Sequence, residues 1–471
     1  MDARPVAEAL ADFAAGFDLT TDDRRDALLA RARLHVLDTV GLALAGWRAE
    51  DGVGDALVAG LLGAEERGGS TIIGSDVGGT APMSAMVNGA LATVWTFDDI
   101  DPGTVMHCEA FATAATLAVA EQTGASGLEL LEGFVVATEV ALRLASAAHG
   151  ESGLYFSGFH GTSVFGTVGA AAGAAKLHGL DANGIADAIA LSASMAGGTS
   201  AGWTAASGRN KTMHPGWAAQ AGVVAARLAA AGYGCSHDTI DGERGLLEAH
   251  TWREGWSPEP ILAGIGEDWR LFDLYVKLHP TGSSTQATAD AASILFEEHG
   301  IRAGDVQSGT IIVPAQLAQI LEDIGDSLYR PSTGSASIGA FPLLVARILM
   351  EGGYTLAHRT DAAVREPELL ALGDRFAVRA DDEHLDLAPE DRPTTVEVVT
   401  ADRTVRATTT SKAKDFPHDS IVRKFHANAG LALGPAQVDD LAATLLALDE
   451  LPDVRELTAR LAVRADATAL G

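Results

Sequence analysis

Three histidines, His107, His160 and His214, each stand just before, or in the first turn of, a stretch of Ala, Gly and other small residues that reads as a helix. A helix start presents unpaired N–H groups and the positive end of its dipole, so it attracts carboxylates and keeps a nearby imidazole neutral. A neutral imidazole can take a proton. Two lysines sharpen the pattern. Lysine supplies only six of the 33 basic residues, yet Lys211 lies three residues before His214 and Lys277 two before His279. In a chain dominated by arginine, a lysine beside a histidine suggests a task that needs a compact ammonium rather than a planar guanidinium. Together these residues suit proton transfer next to a bound carboxylate.

Four segments carry the candidates. Residues 96–107, TFDDIDPGTVMH, place Asp98, Asp99, Asp101 and a Pro-Gly turn ahead of a helix expected over 104–123. These acids beside His107 are equipment for general acid–base work, and equally suited to capping a helix or closing turns. Residues 158–180 carry Gly161, Gly166, Gly169 and Gly173 at helical spacings, which predicts a closely packed central helix over 161–179 with His160 at its mouth. His160 there can donate to a carboxylate or be paired with backbone. In residues 208–233, Pro215 fits the first position of a helix over 216–232, with His214 as its cap. Arg209, Lys211 and His214 then crowd one helix start, the strongest local argument for binding a carboxylate or enolate; a solvated loop is the alternative. Lys277 and His279 open the fourth segment, residues 276–292, where helical texture gives way to a mixed one and an inter-domain crevice is expected.

The surrounding elements follow from periodicity. A helix is expected from Thr21 onward, and others over 182–197 and 284–298. Beyond Lys277, Ser308–Pro314 and Asp374–Arg379 read as strands, Thr394–Thr410 as a hairpin turning at Ala401-Asp402, and 338–351 as a helix. From about Asp419 the chain is helical again. The result is a mainly α protein with a smaller α+β module toward its C-terminal half.

Composition narrows the function classes. With 471 residues, 47% hydrophobic and 20% charged, the chain is globular and long enough for at least two domains. A net charge of −30 argues against nucleic acid or an anionic membrane surface as partner, and an anionic substrate then requires a local positive pocket. Two cysteines, Cys108 and Cys235, offer neither a disulfide framework nor metal-ligand spacing. No HExxH, Walker loop, strand-borne GxGxxG or GxSxG is present, so there is no case for a metal, a nucleotide or a serine nucleophile. Met1–Leu10 lacks the basic and apolar regions of a leader and reads as mature protein, and no stretch suits a membrane span. A cytoplasmic location is expected.

The ordered segments DTVGLALAG (38–46), FDD (97–99) with His107, FHGTSVFGTVGAAAGAAKLHGL (159–180), KTMHPGWAAQAGVVAARLAAAGY (211–233), KLHP (277–280) and RKF (423–425) resemble the MmgE/PrpD family from about Ala30 to Phe425. That family dehydrates 2-methylcitrate, decarboxylates cis-aconitate and epimerises iminodisuccinate. The resemblance implies a large all-α domain formed by both chain ends, residues 1–270 and 413–471, with an α+β lid inserted over 271–412. It also implies a homodimer, no cofactor, and a small di- or tricarboxylate substrate. By position His107, His160, Lys211 and Lys277 match its active-site positions, with His214 alongside. The expected roles are carboxylate binding by Lys211, His160 and the helix start at His214, proton transfer by His107, and an ammonium from Lys277 on the lid side. Arg209, Asp98, Asp99 and His279 are expected to contact substrate. Thr96 and Ile100 stand where decarboxylase-like members carry Asp and Thr, and Gly282 and Gln286 where family members carry histidines. The expectation is a lyase, dehydratase-like, with a two-base epimerase as the alternative and a non-catalytic polycarboxylate binder as a second.

Overall fold

The computed structural model describes residues 4–49, 52–63, 65–148, 158–201, 209–251, 255–387, 391–410 and 416–462. The fold is mainly α. Among the described residues, the first and larger core is built mainly from α1 (Val6–Gly16), α2 (Arg25–Trp47), α3 (Val53–Leu61), α4 (Ala81–Ala92), α5 (Glu109–Thr123), α6 (Gly127–Ala147), α7 (Gly161–Leu177), α8 (Ala182–Ala193) and α9 (Arg209–Ala230). Helices His418–Ala429, Pro435–Leu446 and Arg455–Leu461 return to it, contributing Ile421, Phe425, Leu441 and Leu457. A side chain on Gly41 of α2 would press on the Phe425 ring, at 2.9 Å, so that glycine admits the return helix.

Small residues let the central helices come unusually close. A Cβ on Gly169 would lie 2.2 Å from the Ala137 carbonyl oxygen, one on Gly173 2.4 Å from the Gly133 oxygen, and one on Gly222 2.5 Å from Ala170 Cβ. α6, α7 and α9 therefore touch nearly backbone to backbone. This explains why glycine persists in helix interiors, where it lowers helix stability by about 0.5–1 kcal/mol relative to alanine. Gly216 performs the same service between α9 and α4, where a Cβ would sit 2.2 Å from the Met86 oxygen.

A second core packs helices Ser283–Glu297 and Phe341–Glu351 on a four-stranded sheet. Its strand order is Phe376–Asp381, Ser308–Pro314, Pro393–Val399, Thr404–Thr410; the first pair is parallel and the others antiparallel. The alternating burial of 393–410 matches a sheet covered on one face, and the hairpin turns at Ala401-Asp402 as its spacing predicts.

Several boundaries differ from expectation. The helix expected over 104–123 begins only at Glu109, because the Asp101 carboxylate accepts N–H bonds from Gly103 and Thr104 and holds 101–104 as a turn. His107 therefore precedes α5 rather than sitting in its first turn. The helix expected over 216–232 starts earlier, at Arg209, so Pro215 lies in its interior and His214 is a helical residue, not a cap. Proline removes one helical bond, and beside it the Thr93 hydroxyl donates to the Thr212 carbonyl at 3.1 Å. α7 stops at Leu177 and α8 at Ala193, short of the expected 179 and 197. The expected strand over 374–379 runs over 376–381, and the expected helix over 338–351 begins at Phe341. The boundary placed at 412–413, Gly208 and residues Met1 to Ala3 lie outside the described residues. Among the described residues no helix is long and apolar enough to cross a membrane.

One element was invisible to periodicity. Asp99–Ile100 pairs antiparallel with Tyr275–Val276, Asp99 opposite Val276. Two residues of ladder suffice to carry Lys277 from the far side of the sequence to the acidic loop.

Candidate functional site

Asp99 and Asp101 are structural. Both Asp99 carboxylate oxygens accept backbone N–H groups at the start of α5, from Cys108 at 2.9 Å and Glu109 at 3.1 Å. Asp101 closes the preceding turn. Asp98 alone turns to the cavity. Its Oδ1 lies 2.9 Å from Lys277 Nζ, and its Oδ2 3.3 Å from His107 Nδ1. Lys277 is fully buried and also donates to the Thr96 carbonyl, at 3.3 Å. Thr96 holds φ at 53°, strained for a β-branched residue, and that conformation aims its carbonyl at the ammonium.

The geometry fixes the tautomer of His107. Its Nδ1 is 2.6 Å from the Asp99 carbonyl oxygen, an acceptor only, so Nδ1 carries the proton and donates it. Nε2 is left as the basic nitrogen, and it meets Lys211 Nζ at 3.4 Å. The His107 backbone N–H donates to the Thr162 hydroxyl, seating the residue between α5 and α7. Burial lowers the His107 pKa to about 3; the Lys277 and Lys211 ammoniums lower it too, against the attraction of Asp98. The imidazole is therefore neutral at pH 7. Burial, with the nearby Lys277 charge, lowers Lys211 to about 8, within reach of physiological pH. For Asp98, burial opposes ionisation, but the Lys277 and Lys211 charges, with the hydrogen bond from Lys277, hold its pKa well below the usual carboxylate range.

His160 caps α7 and its Nδ1 lies 2.8 Å from Nδ1 of His214. One ring must donate and the other accept, so the two imidazoles adopt opposite tautomers. Burial lowers both, His160 well below its ordinary value and His214 to about 4, with the Lys211 charge acting in the same direction.

Asp98, His107, His160 and Lys211 line a narrow, partly open pocket together with Thr93, Thr96, Thr162 and Pro215. Two ammoniums and one carboxylate leave it locally positive in a chain of net charge −30. The Thr162 hydroxyl, which accepts from the His107 N–H, can offer its own O–H to a carboxylate or hydroxyl. A small polyanion fits this chemistry. Two triplets, Asp98/Asp99/His107 and His35/Asp99/Glu109, space their donor atoms closely enough to hold a cation. In the first, the Lys277 ammonium already sits 2.9 Å from Asp98 and 3.5 Å from His107 Nδ1. In the second, His35 Nδ1 already meets Glu109 at 2.9 Å.

The structure thus gathers Asp98, His107, His160, Lys211 and Lys277 in one place, with His214 directly behind His160. Arg209 lies at the exposed start of α9. His279 turns to Asp290, 3.1 Å away on the helix Ser283–Glu297, and is not on the cavity wall. Sequence reasoning missed Thr93 and Thr162, whose only signal was proximity to motif residues, and a group behind the wall: His35, Asp38, Glu109 and Lys424. Asp38 and Lys424 stand inside the quoted segments DTVGLALAG and RKF.

The family model of the MmgE/PrpD N-terminal domain matches residues 8–259, and that of the MmgE/PrpD C-terminal domain residues 279–450. Among curated proteins, the chain is 26% identical over 465 residues to the cis-aconitate decarboxylase of Homo sapiens, covering 92% of this chain and 90% of the human protein. It is 26% identical over 272 residues to the cis-aconitate decarboxylase of Aspergillus terreus, covering 56% of this chain and 54% of that protein. A cis-aconitate decarboxylase-like protein of Aspergillus oryzae is 29% identical over 227 residues, 46% of each chain. The chain spans nearly all of the human relative and about half of the fungal ones.

Proposed function

Because this chain belongs to the MmgE/PrpD family, we propose that it is a lyase of a small di- or tricarboxylate, with proton transfer at the carbon beside a carboxylate as its hard step. One observation carries the reading: a neutral imidazole, tautomer fixed, with its basic Nε2 3.4 Å from the Lys211 ammonium. A base and an acid stand side by side in a positive cavity.

In the dehydratase form, His107 Nε2 takes the proton from the α-carbon. The electron pair moves into the carboxylate as an enediolate, whose charge Lys211 and Lys277 stabilise. The bond from the β-carbon to hydroxyl then breaks as the pair returns to form the double bond, and the leaving oxygen takes a proton from Lys211 to depart as water. The proton on His107 passes to neutral Lys211, restoring both groups. A bound polyanion raises the pKa of His107 and Lys211 alike, so the imidazole is a better base in the complex than its value of about 3 in the free protein implies. Asp98, 3.3 Å from Nδ1, stabilises the imidazolium that forms.

The curated relatives favour a second reading, decarboxylation. There a carboxylate leaves as carbon dioxide, and the pair left on carbon, spread over the neighbouring carboxylate, takes a proton from Lys211, which is recharged from water. The homodimer is part of the proposal too: light scattering is expected to give twice 48.5 kDa, and the single mass would overturn it.

Proton NMR in D₂O with malate, citrate, 2-methylcitrate, cis-aconitate and iminodisuccinate tests the reading. Deuterium uptake with a new vinyl product and loss of water supports the hydro-lyase. Loss of carbon dioxide with one deuterium gained supports the decarboxylase. Inversion without elimination would make the protein an epimerase, and no exchange with any of them would refute the reading.

A further inference from the structure

Behind the cavity wall lies a second group of ionisable side chains, His35, Asp38, Glu109 and Lys424, all shut away from solvent. The proton-transfer scheme uses none of them. Lys424 Nζ is 2.6 Å from Asp38 Oδ2 and 2.6 Å from the Phe97 carbonyl oxygen. Glu109 Oε1 accepts the Asp99 N–H at 3.1 Å, and its other oxygen meets His35 Nδ1 at 2.9 Å. The Phe97 carbonyl and the Asp99 N–H belong to the two peptide bonds that flank Asp98. Both peptide planes are therefore pinned from behind, one by Lys424 and the other by Glu109.

What is pinned matters in front. Asp98 bridges Lys277 and His107 with its two oxygens, and the carbonyl of the next residue, Asp99, fixes the His107 tautomer. Turning either of the peptides that flank Asp98 swings its carboxylate away from Nδ1. A buried ammonium–carboxylate pair adds little stability over apolar side chains of the same volume, so stability alone does not account for Lys424 and Asp38. Their geometry does. Lys424 lies on the return helix His418–Ala429, 386 residues from Asp38, so the pair ties the end of the chain to the acidic loop.

We propose that Lys424, held by Asp38, is a positioning residue that fixes the Phe97–Asp98 peptide and so the aim of the Asp98 carboxylate at His107 Nδ1. This rests on the proposed reading that His107 moves the proton. The test compares the wild type with the double variant Lys424→Met/Asp38→Asn, which removes both members of the pair together, and with Lys424→Arg. Nitrogen-15 NMR of the substrate-free protein reports the His107 tautomer; kcat and KM report turnover. The expected result is a folded double variant in which His107 no longer holds a single Nδ1–H tautomer and kcat falls about tenfold or more while KM stays within about threefold. Lys424→Arg, which keeps the charge, is expected to recover part of both. A folded double variant that keeps the tautomer and kcat within about twofold, losing only thermal stability, overturns the proposal. Should the wild type turn over no candidate, the reaction scheme fails separately, and the tautomer alone decides the positioning role. Should the double variant not fold, Lys424→Leu/Asp38→Leu, which replaces the pair with packed apolar side chains, decides by the same readouts, an unchanged tautomer and kcat overturning the proposal.

Discussion

Replacing Lys277 with Met strikes the contact that brings the two halves of the site together. Lys277 and Asp98 are both buried, the latter 3% exposed, and 2.9 Å apart. Removing one member of a buried pair costs about 3–5 kcal/mol, because the charge left behind has neither partner nor water. Asp98 keeps its contact with His107 at 3.3 Å, which places the expected loss at the low end, about 3 kcal/mol. The double variant Lys277→Met/Asp98→Asn removes both charges, and its stability is expected to return to within about 1 kcal/mol of the wild type. Denaturant unfolding of the larger helical core, followed by near-UV circular dichroism, measures both. A second readout follows from charge. The Lys277 ammonium, 3.5 Å from Nδ1, helps keep His107 neutral, whereas Asp98 favours its proton. Lys277→Met therefore raises the His107 pKa above about 3, and the double variant, losing Asp98 as well, brings it back down. A loss below about 1 kcal/mol in the single variant with no recovery in the double would refute the buried pair, and with it the strand pairing that delivers Lys277.

Three further outcomes follow. In the free enzyme Lys211 titrates at about 8 and acts as its ammonium, so kcat/KM is expected to fall about tenfold per unit as pH rises beyond 8, with no matching acid limb from His107 until near 3; Lys211→Arg that leaves the alkaline limb in place would sink this assignment. Gly169→Ala drives a methyl to 2.2 Å from the Ala137 oxygen, and unfolding measurements should show about 1–3 kcal/mol lost, whereas a neutral effect would mean α6 and α7 are further apart than described. His279→Ala removes a side chain paired with Asp290, and kcat/KM is expected to stay within about threefold; a hundredfold loss would place His279 in the site after all.

Much of this arrangement was legible in the residues. Small-residue periodicity located α7, and the return of helical texture after Asp419 located the closing helices, because both depend on local patterns that a sequence carries openly. Lys211, His107, His160 and Lys277 stood out by type against an arginine-rich background, and the structure brings them together. What stayed hidden depends on contacts distant in sequence. The strand pair at Asp99 and Val276 is two residues long, too short for any periodicity, yet it delivers Lys277. Pro215 read as a helix start because proline favours the first turn, whereas tertiary packing of Gly216 on α4 carries the helix through it. The three acids of the loop looked alike; only the backbone around them separates Asp99 and Asp101, which hold N–H groups, from Asp98, which faces Lys277 and His107. Lys424 and Asp38 stand in the segments RKF and DTVGLALAG, and nothing local shows that they meet.

The most direct test of the account is kcat/KM of His107→Ala against the wild type, on whichever polycarboxylate exchanges deuterium in the NMR panel. A positioned base contributes about 10²–10⁴-fold, and a loss in that range is predicted, with circular dichroism unchanged. A variant that retains kcat/KM within about threefold, less than 1 kcal/mol of transition-state stabilisation, would contradict the claim that His107 moves the proton.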